Sequence, residues 1–385
     1  MPEAPDCIIA GKIFDGDRLH ENHAVAVRGA AVTGLGPRAA MAHQGATRMD
    51  LGSDILLPGF IDLQVNGGGG VLFNDAPSVE TIATIGASHR RFGTVGFLPT
   101  LITDTDAVMR RAIDAVAAAI EDRVPGVIGI HLEGPHLNPV RRGVHDADRI
   151  RPLDAAAVSR ITSLRRGVTV VTLAPEATDT TTIRRLAEAG VVVCAGHSAA
   201  DYDTAQRSLD AGLAGFTHLY NAMPPLASRA PGLVGAALAD DRSWFGIIAD
   251  GHHVHPAAFR VAVAAKRRGG ALLVTDAMPV VGTTVDSFTL QGARVRVADG
   301  RCVTADGRLA GSALTMIDAV NNAARFAGID WFQAVRMASL YPAAALGLDG
   351  TFGRIRPGYR ASFVAVDTER RVTRVWVDGR VYPVV

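Results

Sequence analysis

The 385-residue chain has few cysteines, no excess of either charge and no long apolar run. Its three cysteines, Cys7, Cys194 and Cys302, are odd in number and widely spaced. They build neither a disulfide framework nor a cysteine-rich zinc site. Reduced cysteines imply a reducing, cytoplasmic setting. Lys and Arg number 39 against 38 Asp and Glu. This balance removes the strong basic field expected of a nucleic-acid or polyanion binder. A small anion stays within reach, because a few local Arg and His residues suffice for one phosphate. No uninterrupted apolar stretch is long enough for a membrane span. The opening residues Met1-Pro2-Glu3-Ala4-Pro5-Asp6 lack the basic and apolar regions of a signal peptide. Low-complexity segments and short repeats are also missing.

What is present is core-forming: 48% of residues are hydrophobic and 20% charged. Eight apolar runs read as strands: Gly59 to Val65, Thr94 to Leu98, Val127 to Leu132, Val168 to Leu173, Val191 to Ala195, Ala214 to Thr217, Trp244 to Ala249 and Ala271 to Thr275. Amphipathic helical patterns separate most of them. One opens at Ser78, one spans Asp104 to Asp122, one spans Asp179 to Ala189, and one is led by Pro256. Eight such units predict an α/β chain with a (β/α)8 barrel. After the last strand a β-like insertion surrounds Phe288 to Leu290 and Val295 to Val297, and helices follow from Thr315 to about Ala344. Short strand patterns occupy both ends of the chain. Neither end can bury a core alone, so residues 1–57 and 350–385 are expected to combine into a small β-sandwich domain beside a barrel of residues 58–349.

The strand ends carry the chemistry. The run before Glu133 is apolar, and Pro135 cannot continue a ladder, so Glu133 is set at a strand tip. An isolated carboxylate there could cap a turn or pair with an arginine. Other tips, however, carry His197, His218, Asp250-Gly251-His252-His253 and Thr275-Asp276, with Gln64 and Asn66 on the first strand and Glu176 after the fourth. In a (β/α)8 barrel these ends converge on one rim. Two imidazoles and one carboxylate suit a divalent metal, Zn2+ above all, and three protein ligands leave a position open for water. Asp276 also fits a helix cap after the eighth strand, although its place on the rim favours a chemical role.

Several motifs together resemble the amidohydrolase superfamily and, within it, the N-acetylglucosamine-6-phosphate deacetylases. They are Leu57-Pro58-Gly59-Phe60-Ile61-Asp62, His131-Leu132-Glu133-Gly134-Pro135, Gly143-Val144-His145, Gly196-His197-Ser198, Thr217-His218-Leu219-Tyr220-Asn221-Ala222-Met223, Asp250-Gly251-His252-His253-Val254, Thr275-Asp276-Ala277 and Leu309-Ala310-Gly311-Ser312. The resemblance implies one divalent metal per subunit on Glu133, His197 and His218, with Fe2+, Co2+ or Mn2+ as alternatives to Zn2+. It makes Asp276 the acid/base group and puts His253 near the substrate carbonyl. It assigns His145 to sugar hydroxyls and the sugar phosphate to the region of Asn221, Ala222 and Arg229. Val144, Leu309, Ala310 and Gly311 join the substrate-binding set. An arginine equivalent to Arg229 acts across a homodimer interface in the family; alone, Arg229 reads more readily as a solvated surface charge. The superfamily usually opens with His-x-His for a second metal. Gln64 and Asn66 stand there instead, as poorer ligands, so a single-metal site is expected with at most a weak second ion.

The implied reaction hydrolyses an N-acetylated amino-sugar phosphate to acetate and the free amine. An epimeric substrate (N-acetylgalactosamine 6-phosphate) or another cyclic amide is the alternative, and a barrel serving only to bind is the remote one. His252 and His255 are set aside as loop neighbours, His131 as a packing residue behind the site, and His136 as a surface residue. Gly67 to Gly70 lacks the Gly-Lys-Ser/Thr of a phosphate loop and is expected only to let backbone pass close to the site.

Overall fold

The computed structural model of the chain describes residues 6–41, 47–266 and 269–384. Residues 1–5, where a leader was sought, lie outside them. Eight parallel strands form one sheet: Phe60–Val65, Thr94–Ile102, Gly129–Glu133, Val168–Leu173, Val192–Ala195, Gly215–Phe216, Trp244–Ile248 and Ala271–Val274. They neighbour one another in chain order. The sheet closes where the first strand meets the residues just after the eighth, through a parallel bridge between Val65 and Ala277. Most of their side chains are apolar and nearly all are buried, as parallel strands covered by helices require.

Local chemistry sets the helix boundaries. The Ser78 hydroxyl accepts from the Thr81 amide to cap Val79–Arg90, Asp179 accepts from Thr182 to cap Thr180–Glu188, and Pro256 occupies the first turn of Pro256–Ala265. The helix expected from Asp104 begins later, at Asp106, with Thr105 as its cap. Asp104 instead receives Asn74 Nδ2 at 3.0 Å and an ion pair from Arg149. Those partners draw it out of the helix.

Both ends of the chain build a second, mixed eight-stranded sheet. Ile55–Pro58 pairs in parallel with Cys7–Phe14 on one side and antiparallel with Phe363–Val366 on the other. Its core packs Ile8, Leu56, Phe363 and Trp376, all fully buried. The chain crosses from this sheet into the barrel at Gly59. A Cβ there would lie 2.3 Å from the Val95 side chain, so only glycine allows the crossing. The predicted insertion is a four-stranded antiparallel sheet running from Ser287 to Ser312. Gln291 Nε2 donates to Thr103 O at 2.7 Å and Arg308 Nη1 to Gly143 O at 2.9 Å, which pins the insertion over the barrel rim. Among the described residues no helix is long and apolar enough to cross a membrane.

Trp376 is fully buried in the core of the sheet that joins the two ends. Trp376→Ala should destabilise the protein by about 3–5 kcal/mol, as truncation of large core aromatics does, read as a lower midpoint in chemical unfolding.

Candidate active site

Three strand tips bring Glu133, His197 and His218 together at the top of the barrel. All three are buried, and their ligand atoms lie within 4.8 Å of one another. Glu133 Oε1 is 3.1 Å from His197 Nε2 and 3.0 Å from His218 Nε2, and the two imidazole nitrogens are 3.0 Å apart. His197 Nδ1 donates to the Arg141 carbonyl at 2.9 Å, so in the neutral ring Nε2 is the nitrogen that carries the lone pair. Burial pushes the Glu133 carboxyl up, but hydrogen bonds and charge from the two histidines outweigh that and hold it well below the usual range. A lone-pair nitrogen, a second imidazole nitrogen and a carboxylate aimed at one point suit a divalent cation.

Both histidines and Asp276 share an unusual backbone. His197, His218 and Asp276 have φ of 49°, 33° and 52°, in the left-handed region that favours glycine. Each is therefore turned out of its strand direction and into the cleft, a strain that tends to gather at functional sites. The alternation of a regular strand gives no sign of this.

Asp276 sits beside the cluster and caps no helix. Its carboxylate accepts from Asn66 Nδ2 at 2.6 Å and Gln64 Nε2 at 3.1 Å. Gln64 Nε2 also reaches Glu133 at 3.2 and 3.1 Å, so one amide ties the two carboxylates together. Burial and the nearby Glu133 charge raise the Asp276 carboxyl to about 6, against the opposing pull of His218, His253 and the Asn66 bond. Gly311 makes the strand beside it possible. A Cβ there would fall 2.9 Å from the Asp276 carbonyl and 2.5 Å from Met278.

A cleft of about 140 Å³ opens on these groups. Asn66, His145, His253, Asn221 and Ala222 line it, as do Val144, Leu309 and Gly311. His253 Nδ1 is 2.6 Å from Asp250 Oδ2, so its Nε2 edge is the free one. His145 Nδ1 accepts from the Thr103 amide at 3.3 Å, which puts the ring proton on Nε2. Burial and the His197 charge lower its pKa to about 3, so the ring is neutral. Gln64 and Ala310 are buried just behind the lining. Arg229 is exposed, in the loop beyond Met223, and does not line the cleft.

His131 is buried below the ligands, with Nε2 2.8 Å from Thr172 Oγ1. His136 is not on the surface as expected. It is 1% exposed and bonded through Nδ1 to the Arg151 carbonyl at 3.0 Å, because the following loop folds back over it. Glu176 is exposed and accepts from Asn138, Ser198 and the Ala199 amide, tying rim loops together.

Sequence reasoning missed Asp62, a fully buried carboxylate in the first strand. It accepts from the Gln64 amide at 3.2 Å, the Thr275 amide at 3.2 Å and the Thr275 hydroxyl at 2.5 Å. Burial drives its pKa up to about 7 despite these donors. The signal was an aspartate inside the apolar run from Leu57 to Val65. Its bonds close the barrel immediately below Asp276.

The chain matches the amidohydrolase family over residues 55–382. A protein named N-acetylgalactosamine-6-phosphate deacetylase from Shewanella sp. (strain ANA-3) is 43% identical over 86% of this chain and 83% of its own length. An N-acetylglucosamine-6-phosphate deacetylase from Haemophilus influenzae is 34% identical, with 97% of each chain covered. The crystal structure of N-acetylglucosamine-6-phosphate deacetylase from Pasteurella Multocida superposes with a TM-score of 0.94 at 34% identity, covering 98% of this chain and 99% of that one.

Thr275→Val keeps the shape of the side chain but removes the hydroxyl donor to buried Asp62. The expected cost is about 1–3 kcal/mol, measured by chemical unfolding, with a larger loss at pH 8 than at pH 5 because only the ionised carboxylate needs that donor in full.

Proposed function

The chain belongs to the amidohydrolase family and is a hydrolase, and on that premise we propose that it converts N-acetylglucosamine 6-phosphate to glucosamine 6-phosphate and acetate. The observation that carries this reading is the buried Glu133–His197–His218 cluster with the Asp276 carboxylate beside it in the same cleft. We assign one divalent cation to the three ligands. Two nitrogens and one oxygen favour Zn2+, with Fe2+, Co2+ and Mn2+ as alternatives. When bound, the cation would supply acidity to a water and polarise the acetyl carbonyl.

The protein groups divide the remaining work. Asp276 takes a proton from the attacking water and delivers it to the leaving nitrogen. His253, oriented through Nδ1 by Asp250, turns its Nε2 edge toward the carbonyl oxygen, where negative charge develops. His145 offers its Nε2–H to a sugar hydroxyl. Asn221 and Ala222, on the turn that follows His218, receive the phosphate end, with Val144, Leu309, Ala310 and Gly311 shaping the walls around the sugar. We assign Arg229 to a homodimer in which it completes the phosphate site of the other subunit, where a guanidinium can bind bidentately. The catalytic unit is taken as residues 58–349 and the accompanying domain as 1–57 with 350–385. Three free, buried cysteines are in keeping with a cytoplasmic enzyme.

A second reading has its own support. Relatives at 43% and 39% identity are named N-acetylgalactosamine-6-phosphate deacetylases. The two sugars differ only at one hydroxyl and carry the same acetamide and phosphate. Acetate release from both, measured side by side, decides between them. A larger kcat/KM for the galacto epimer would replace the main reading, and release from neither would end both.

Glu133→Gln should lose bound metal and activity together while staying folded. Metal content, circular dichroism and acetate release check this, and full activity in the metal-free variant would exclude the assignment. The base must be ionised, so kcat/KM should rise with pH and level off, with a midpoint at or below about 6, since a bound cation favours the Asp276 carboxylate further.

A further inference from the structure

Asn66 lies just past the tip of the first strand and is 1% exposed. Its backbone is fixed on both sides: its amide donates to Ala277 O at 2.9 Å and its carbonyl accepts from the Phe73 amide at 2.9 Å. Its side-chain Nδ2 donates to Asp276 Oδ1 at 2.6 Å. Chemistry fixes the orientation of this carboxamide, because an ionised carboxylate only accepts and must face the nitrogen. The other branch, Oδ1, is buried without a hydrogen-bond partner. Asn66 lines the cleft with Glu133, His218 and Asp276. A buried acceptor left open beside the base, in a site otherwise dense in hydrogen bonds, calls for a donor.

The scissile acetamide carries one such donor, its N–H. During hydrolysis a bond forms between the water oxygen and the acetyl carbon, the carbon–nitrogen bond breaks, and the nitrogen receives the proton held by Asp276. The nitrogen can accept that proton only if its lone pair turns toward Asp276 and its existing hydrogen points elsewhere. Asn66 is bonded to Asp276 and lines the same cleft, and its free oxygen is the other branch of the carboxamide that holds the base. We propose that Asn66 is a substrate-positioning residue whose Oδ1 accepts the acetamide N–H while its Nδ2 holds Asp276, so that one side chain aligns the base with the leaving nitrogen. This rests on the reading of the cleft as an acetamide-hydrolysing site. It gives Asn66 a role in selecting secondary amides over esters, distinct from any role as a metal ligand.

The test compares the N-acetyl sugar phosphate with its 2-O-acetyl counterpart, an ester that has no N–H. Asn66→Ala and the near-isosteric Asn66→Leu are assayed on both, with metal content and circular dichroism as checks on integrity. Loss of the Nδ2 bond to Asp276 disturbs the base for both substrates, whereas loss of Oδ1 removes an acceptor that only the amide can use. The expected result is a fall of about tenfold in the amide-to-ester ratio of kcat/KM, the worth of one hydrogen bond in a buried site, in whichever variant is folded and metal-loaded. Equal losses on amide and ester would overturn the proposal and leave the hydrolase reading standing. Wild-type protein that releases acetate from neither compound would overturn that reading and the proposal with it.

Discussion

A carboxylate buried at the top of a barrel must be met by donors or by positive charge, and the upper half of this structure is arranged around meeting that need at Glu133. Two imidazoles approach it from the fifth and sixth strand ends and an amide from the first. Their convergence has a cost. Nitrogens 3.0 Å apart beside a carboxylate are under-satisfied unless a cation or a shared proton lies among them. The same demand explains the left-handed backbone at His197 and His218, since regular strand geometry would carry the imidazoles past the point where they meet. Nearby Asp276 then experiences the Glu133 charge, which helps to raise its pKa toward the range where a group can both take and return a proton.

Gln64 and Asn66 give this arrangement its particular character. As amides they place N–H donors between Glu133 and Asp276, where histidines would offer lone pairs to a second cation. Two nearby carboxylates are thereby bridged by neutral donors. Asp62, lower on the same strand, locks the eighth strand to the first through Thr275, so the position of Asp276 is inherited from the closure of the barrel itself.

Much of this was legible in the amino-acid order, because periodicity and strand-end chemistry are local. The strand expected from Val168 to Leu173 has those bounds in the structure, and the other seven differ by a few residues at their ends. The same holds for the caps at Ser78 and Asp179. What stayed hidden depends on distant partners. Asp104 left its helix for Asn74 and Arg149, His136 was buried by a loop that returns from Arg151, and Asp62 found Thr275 across 213 positions of chain. Asp250 likewise became legible only as the residue that turns His253 toward the cleft. Arg229 is the opposite case: it is exposed on a single chain, and its proposed role needs a second one.

The claim on which the rest depends is that a single cation sits on the three strand tips. Anomalous diffraction from crystals of the metal-loaded protein tests it directly. The account predicts one peak per chain, about 2.0–2.2 Å from Glu133, His197 and His218. A principal peak held instead by Gln64 and Asn66, or no peak at the three tips in protein that is active and metal-replete, would contradict it.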